Sequence, residues 1–158
     1  MNRLDAPPET LDDDPRLSTL MSSRLVGITP DAAAQVALNL MASTGVRHLP
    51  VLDGGTCVGI VLEPDLVLAA AEGELHRPGA PLTVAALCRR APMMRAHDRR
   101  GLAAEAMCES GIDVVLVVDG GALIGLVTAT DLVRSLAGRP HTGPGTGTGP
   151  NAHRPHQK

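Results

Sequence analysis

Short, wholly apolar runs alternate along the chain with stretches in which apolar residues recur at helical spacing, and the whole alternation occurs twice. The first round opens on the apolar run Leu25–Ile28. Ala33, Val36, Ala37, Leu40 and Met41 then recur at helical intervals, which predicts a helix buried on one face, with Thr29 or Asp31 as its cap. Gly45 follows, where a helix C-terminus needs a residue of positive φ. The apolar runs His48–Leu52 and Thr56–Leu62 flank Asp53-Gly54-Gly55, which predicts a hairpin. A last helix is expected from about Pro64-Asp65 to Ala71.

The second round repeats this order: a short run Pro92–Met94, then a helix capped by Asp98 with Leu102, Ala103, Ala106 and Met107 on its buried face. Gly111 ends that helix. Val114–Val118 and Ala122–Thr128 flank Asp119-Gly120-Gly121, and a final helix runs from Thr130-Asp131 to about Ala137.

The two rounds superpose without a gap at an offset of 66 residues, from Gly45 over Gly111 to Leu66 over Leu132. Val51/Val117, Asp53/Asp119, Gly59/Gly125 and Asp65/Asp131 are among the identical pairs, so the chain is an internal duplication. The expected fold class is α/β, as two β-α-β-β-α repeats spanning 16–80 and 81–137. One such unit is too small to bury both faces of its sheet. Two packed back to back form a pseudo-twofold pair with a cleft between them.

Composition refines this picture. The Pro/Asp-rich residues 1–15 and the Gly/Pro/Thr/His-rich residues 138–158 carry too little apolar surface to offset backbone ordering and are expected to be disordered tails. The tail histidines His141, His153 and His156 have no regular metal-ligand spacing. Apolar residues are 44% of the 158, none of them Phe, Tyr or Trp, so the core is aliphatic. Without aromatic rings or a basic surface (net charge −3), nucleic acid is not an expected partner. No apolar stretch approaches membrane-spanning length and the start has no apolar signal segment, so a cytoplasmic protein is expected. Three well-separated cysteines, Cys57, Cys88 and Cys108, fit a reducing compartment better than a disulfide framework. Arg89 and Arg90 would lower the Cys88 thiol pKa. No thiol stands in a nucleophile constellation and no Walker-type loop is present, so no catalysis is expected.

The segments Gly45-Val46-Arg47-His48-Leu49-Pro50-Val51-Leu52-Asp53 and Gly125-Leu126-Val127-Thr128-Ala129-Thr130-Asp131-Leu132 resemble two motifs of the cystathionine-β-synthase (CBS) domain family in its tandem form, the Bateman module. The resemblance covers about residues 16–137. It implies a regulatory ligand in the inter-repeat cleft: AMP, ADP, ATP, NAD or S-adenosylmethionine, with no required cofactor. It also implies a homodimer and an effector protein that receives the signal. An Asp at a helix start can accept from ribose hydroxyls, and Thr hydroxyls with free amides suit a phosphate.

Carried over residue by residue, the implied site uses Gly125, for close approach of the ligand, with Thr128, Thr130 and Asp131. Arg47 and His48 would contact phosphates, and Met93 and Met94 would sandwich the base. Repeat 1 keeps Asp65 but has Leu62 and Pro64 in place of the hydroxyl residues, and repeat 2 has Asp113 and Val114 in place of the basic pair. One site centred on Asp131 is therefore expected, and an Asp113 facing it would favour a less anionic ligand such as S-adenosylmethionine. Plainer roles exist for the same residues: helix caps for Asp131 and Asp65, core packing for Met93 and Met94, a surface charge for Arg47, a partly buried histidine for His48. The alternative to a sensor is a degenerate pair that dimerises and docks a partner without ligand.

Overall fold

The computed structural model describes residues 14–137, so the tail expectations for 1–13 and 138–158 lie outside that range, while Asp14 and Pro15, expected in the N-terminal tail, instead accept from the Gly101 and Arg100 amides. Repeat 1 contributes α2 (Ala34–Thr44), the hairpin β1 (His48–Asp53) and β2 (Thr56–Leu62), and α3 (Glu63–Ala71). Repeat 2 contributes β3 (Met93–Arg95), α5 (Arg100–Ser110), the hairpin β4 (Val114–Asp119) and β5 (Ala122–Thr128), and α6 (Ala129–Leu136). Single-turn helices α1 (Leu17–Leu20) and α4 (Val84–Leu87) precede the two repeats. This mixed α/β architecture is the fold class expected, with strand and helix limits close to those read from the apolar pattern. Gly45 and Gly111 end α2 and α5 in the left-handed conformation, at φ 74° and 66°.

Both hairpins are antiparallel, and each carries a register shift at the same place, between Val51 and Leu52 and between Val117 and Val118. In repeat 2 the leading strand β3 adds to β4 in parallel. The leading run Leu25–Ile28 of repeat 1 forms no strand; Ile28 alone bridges Val51, in the same parallel sense. The cause is Pro50. Its counterpart Leu116 donates its amide to Pro92 O at 2.8 Å, whereas Pro50 has no amide hydrogen to give.

The expected caps are also corrected. Residue Ala33 precedes α2 without any side-chain cap, and Asp31 bonds instead with Thr29, which lowers its pKa. Asp98 accepts from the Arg95 amide at 2.7 Å rather than capping α5. Distant segments do the capping: the Ala34 amide donates to Leu82 O at 2.8 Å, and the Gly101 amide donates to the Asp14 carboxylate at 2.9 Å.

These bonds belong to two straps. Residues 14–22 cross repeat 2, where Leu17 is fully buried beside Met94, Met107, Val117 and Val127. Residues 82–91 cross repeat 1, where Val84 joins the core of Ala37, Leu49, Val61 and Leu66. The packing units therefore interleave along the chain instead of following the 16–80 and 81–137 division. A third cluster, with Cys57 and Ile60 from one repeat and Ile112, Val114 and Leu116 from the other, holds the repeats together. Burial of these aliphatic side chains, about 1.5–3 kcal/mol for each Val, Leu or Ile, fixes the relative position of the halves.

Candidate functional site

A cleft of about 420 Å³ opens between the repeats. Repeat 1 lines it with Gly45, Val46, Arg47 and His48, from the turn between α2 and β1, and repeat 2 with Leu126, Thr128, Thr130, Asp131 and Arg134, from the end of β5 and the start of α6. The first strap adds Ser22, its last residue, and the connection from there to α2 adds Arg24 and Val26. Five residues expected to share a site, Arg47, His48, Thr128, Thr130 and Asp131, are thus brought to one cavity from opposite halves.

Thr128 and Asp131 form a capping box at the start of α6. The Asp131 carboxylate accepts from the Thr128 amide at 2.9 Å and from its hydroxyl at 2.8 Å, while the Asp131 amide donates to Thr128 Oγ1 at 3.3 Å. Asp131 is 7% exposed, and Arg134 Nη1 lies 3.9 Å from its Oδ1. The carboxylate is therefore held in a fixed position at the cleft wall. Arg47 reaches Glu63 at 3.3 Å. His48 Nε2 lies 3.0 Å from Asp113 Oδ1, a bond that joins the two repeats. Asp113 does not line the cleft and is 63% exposed on its side chain, so the anticipated repulsion of an anion is reduced to the carboxylate that holds His48.

Four expected residues lie elsewhere. Met94 is buried in the repeat 2 core and Met93 is 52% exposed; neither reaches the cavity of Asp131. Val26, Val46 and Leu126 supply the apolar wall instead. Gly125 is needed by the protein's own strap: a Cβ there would stand 2.7 Å from Met21 Sδ and 3.1 Å from Ser22 O. Asp65 neither caps α3 nor faces open space. Arg89 grips it with two hydrogen bonds, of 2.7 and 2.6 Å.

That ion pair adds a structural difference between the two halves to those seen in the sequence. Ser22 pairs with Leu126 through both backbone bonds, as Arg89 pairs with Ile60, so Ser22 and Arg89 occupy equivalent strap positions. The long Arg89 side chain closes over Asp65, whereas the short Ser22 leaves Asp131 facing a cavity. Arg24, Val26 and Arg134 escaped the sequence reading. The signal for Val26 was present: the motif of one repeat faces the leading run of the other, so Asp131 called for Leu25–Ile28 and not Met93-Met94.

The thiols also depart from expectation. Burial pushes the Cys88 pKa up, and the neighbouring Cys57 raises it further, so Arg89 and Arg90 do not activate it. Cys57 is raised by burial as well. All three cysteines are free. Among the described residues, no helix is long and apolar enough to cross a membrane.

Known proteins share this fold. The chain is similar to the CBS domain pair of protein MJ0100, solved with 5-methylthioadenosine and S-adenosyl-L-methionine, at a TM-score of 0.70 and 22% identity over 79% of this chain and 98% of that one. It is similar to CBSX2, solved in complex with AMP, at a TM-score of 0.65 and 29% identity over 78% of this chain and 96% of that one. A third likeness is to the CBS domain of a bacterial CNNM/CorC family Mg2+ transporter in complex with ATP, with a TM-score of 0.66 and 20% identity over 78% of this chain and 88% of that one. The family model for the CBS domain matches residues 17–72 and 101–138, more than half of the chain. With duplicated sequence, doubled hairpins and family model in agreement, this chain belongs to the CBS domain family.

Proposed function

We propose that the chain is a non-catalytic regulatory module that binds one adenine nucleotide between its repeats and signals its occupancy to a partner protein in a reducing, cytoplasmic compartment. The observation that carries this reading is the convergence of Arg47 and His48 with Thr128, Thr130 and Asp131 on one cavity. Its volume falls in the usual small-molecule range of about 300–1,000 Å³. Thr128 and Asp131 face the ribose, Val26, Val46 and Leu126 face the base, and Arg24, Arg47 and Arg134 face the phosphates. The AMP complex of CBSX2, at 29% identity, supports the ligand class. Three arginines against one cleft carboxylate, with Asp113 outside the lining, favour a phosphate-bearing ligand over S-adenosylmethionine. The Arg89–Asp65 pair favours one occupied site over two.

Homodimerisation belongs to the same proposal. Val67 and Leu68 on α3 and Val133 and Leu136 on α6 are large apolar residues left in solvent, the last two at 65% and 71% exposure. Leu136→Glu is expected to shift sedimentation from dimer to monomer.

The lack of Trp and Tyr makes the ligand test direct, because the protein itself absorbs little near 260 nm. Freshly purified protein is expected to carry an adenine band or to bind AMP, ADP or ATP in calorimetry. Ligand at a hundred times its Kd adds about 2.7 kcal/mol to stability. Asp131→Asn, which keeps an acceptor for the helix start, and Arg47→Ala should each weaken binding. If no adenine band appears and AMP, ADP, ATP, NAD and S-adenosylmethionine leave the melting temperature unchanged, the sensor reading fails. The ligand-free docking module then stands in its place.

A further inference from the structure

A second cavity, of about 560 Å³, lies at the end of repeat 2 between the first strap, the β3–α5 connection and the β4–β5 turn. Arg16, Arg95 and His97 stand on its wall with Ser18, and Asp119 is the one carboxylate there. Among the described residues, neither the Arg16 nor the Arg95 guanidinium has an ion-pair or hydrogen-bond partner. Nearby Asp98 is already engaged: it accepts from the Arg95 amide at 2.7 Å, and His97 Nε2 is 4.0 Å from it.

The duplication supplies an internal control. The Leu17 amide donates to Asp98 O as the Val84 amide donates to Ala32 O, which places Thr83 of the second strap where Arg16 stands in the first. The 66-residue offset places Thr29 and Asp31 where Arg95 and His97 stand. Repeat 1 thus builds the same corner of the fold with no cation at any of these positions. Packing does not demand two arginines without ion-pair partners and a histidine on one cavity wall, and such a wall, though solvent-exposed, draws a multiply charged anion to it.

We infer that this cavity is a second binding site, for a compact oligophosphate. Guanidinium forks match phosphate oxygens in bidentate pairs, and several converging forks hold a multiply charged anion better than a single one. The phosphates would come from an inorganic oligophosphate or from the tail of a nucleotide. The first strap lines this cavity through Arg16 and Ser18 and reaches the inter-repeat cleft through Ser22, so one segment touches both sites.

The test is an amide-resolved NMR titration of the full chain with inorganic pyrophosphate at constant ionic strength, with ADP in parallel. Saturable shifts are expected at His97, Gly120 and Gly121, and the double variant Arg16→Gln/Arg95→Gln should weaken that response by about tenfold or more. Equal affinity for pyrophosphate and ADP assigns the site to phosphates alone; tighter ADP binding at the same amides assigns it to a nucleotide. No saturable shift at these amides, shifts that the double variant leaves unchanged, or an equal response to matched chloride overturns the inference. Gly45, Arg47 and Thr128 report the cleft separately, so failure at one site is distinguishable from failure at the other.

Discussion

The glycines of the two Gly-x-x-x-x-x-Asp motifs, Gly59 and Gly125, invite one reading from sequence and receive another from packing, and alanine at each separates the two. At Gly59 a new Cβ would stand 2.5 Å from Arg89 O and 2.5 Å from Cys88 Sγ. The Arg89 carbonyl cannot retreat cheaply, because it accepts from the Ile60 amide at 2.9 Å. At Gly125 the nearest atom is Met21 Sδ at 2.7 Å, on a flexible side chain, and the strap carbonyl Ser22 O is at 3.1 Å. Overpacking against fixed backbone costs about 3 kcal/mol, and overpacking relieved by a methionine rotamer about 1 kcal/mol. Alanine restricts the unfolded chain and returns about 0.4–1 kcal/mol in both cases.

Gly59→Ala should therefore lose about 2 kcal/mol and Gly125→Ala close to none. At about 4 °C per kcal/mol for a domain of this size, the melting temperatures should differ by about 8 °C. The assay is thermal and urea unfolding followed by circular dichroism, since there is no Trp or Tyr to fluoresce. Gly125→Ala should also keep its nucleotide affinity, because the glycine lies under Met21 and does not line the cleft. Equal destabilisation, or a larger loss at Gly125, would refute the packing argument.

Three further outcomes follow from the same geometry. Ser22→Arg should abolish nucleotide binding with little loss of stability, by covering Asp131 as Arg89 covers Asp65, and calorimetry reads this directly. Asp14→Ala should cost about 1 kcal/mol in urea unfolding, because the Gly101 amide near the start of α5 loses its acceptor. Cys57 and Cys88 should alkylate far more slowly than exposed Cys108 until the chain unfolds. Because their folded pKa values are raised above the ordinary 9.0, their contribution to stability is intact below that pH. It is lost as pH rises toward the folded values, where the unfolded chain ionises first, so a Cys57→Ala/Cys88→Ala variant should show a flatter alkaline profile.

The sequence by itself determined the duplication and the principal helices and hairpins in their order, but neither the single-turn helices α1 and α4 nor the loss of a strand at Leu25–Ile28. What it determined rests on local signals: apolar runs, helical spacing, Asp-Gly-Gly turns, Gly45 and Gly111 as helix ends. The resemblance of two segments to CBS motifs singled out Arg47, His48, Thr128, Thr130 and Asp131 as residues expected to share a site. Only the tertiary structure decided which of them meet. The caps on α2 and α5 come from Leu82 and Asp14, some fifty and some ninety residues away in the chain, beyond the reach of any local pattern. The two straps lie on the core of the other repeat, which exchanged Val26 for Met93 and Met94 at the cleft. Beyond the hydroxyls lost at Leu62 and Pro64, which the sequence does show, the open cavity at Asp131 and the covered carboxylate of Asp65 differ at one strap position, Ser22 against Arg89. Side-chain reach across a folded interface is a property of three dimensions, and two identical aspartates in a gapless repeat could not disclose it.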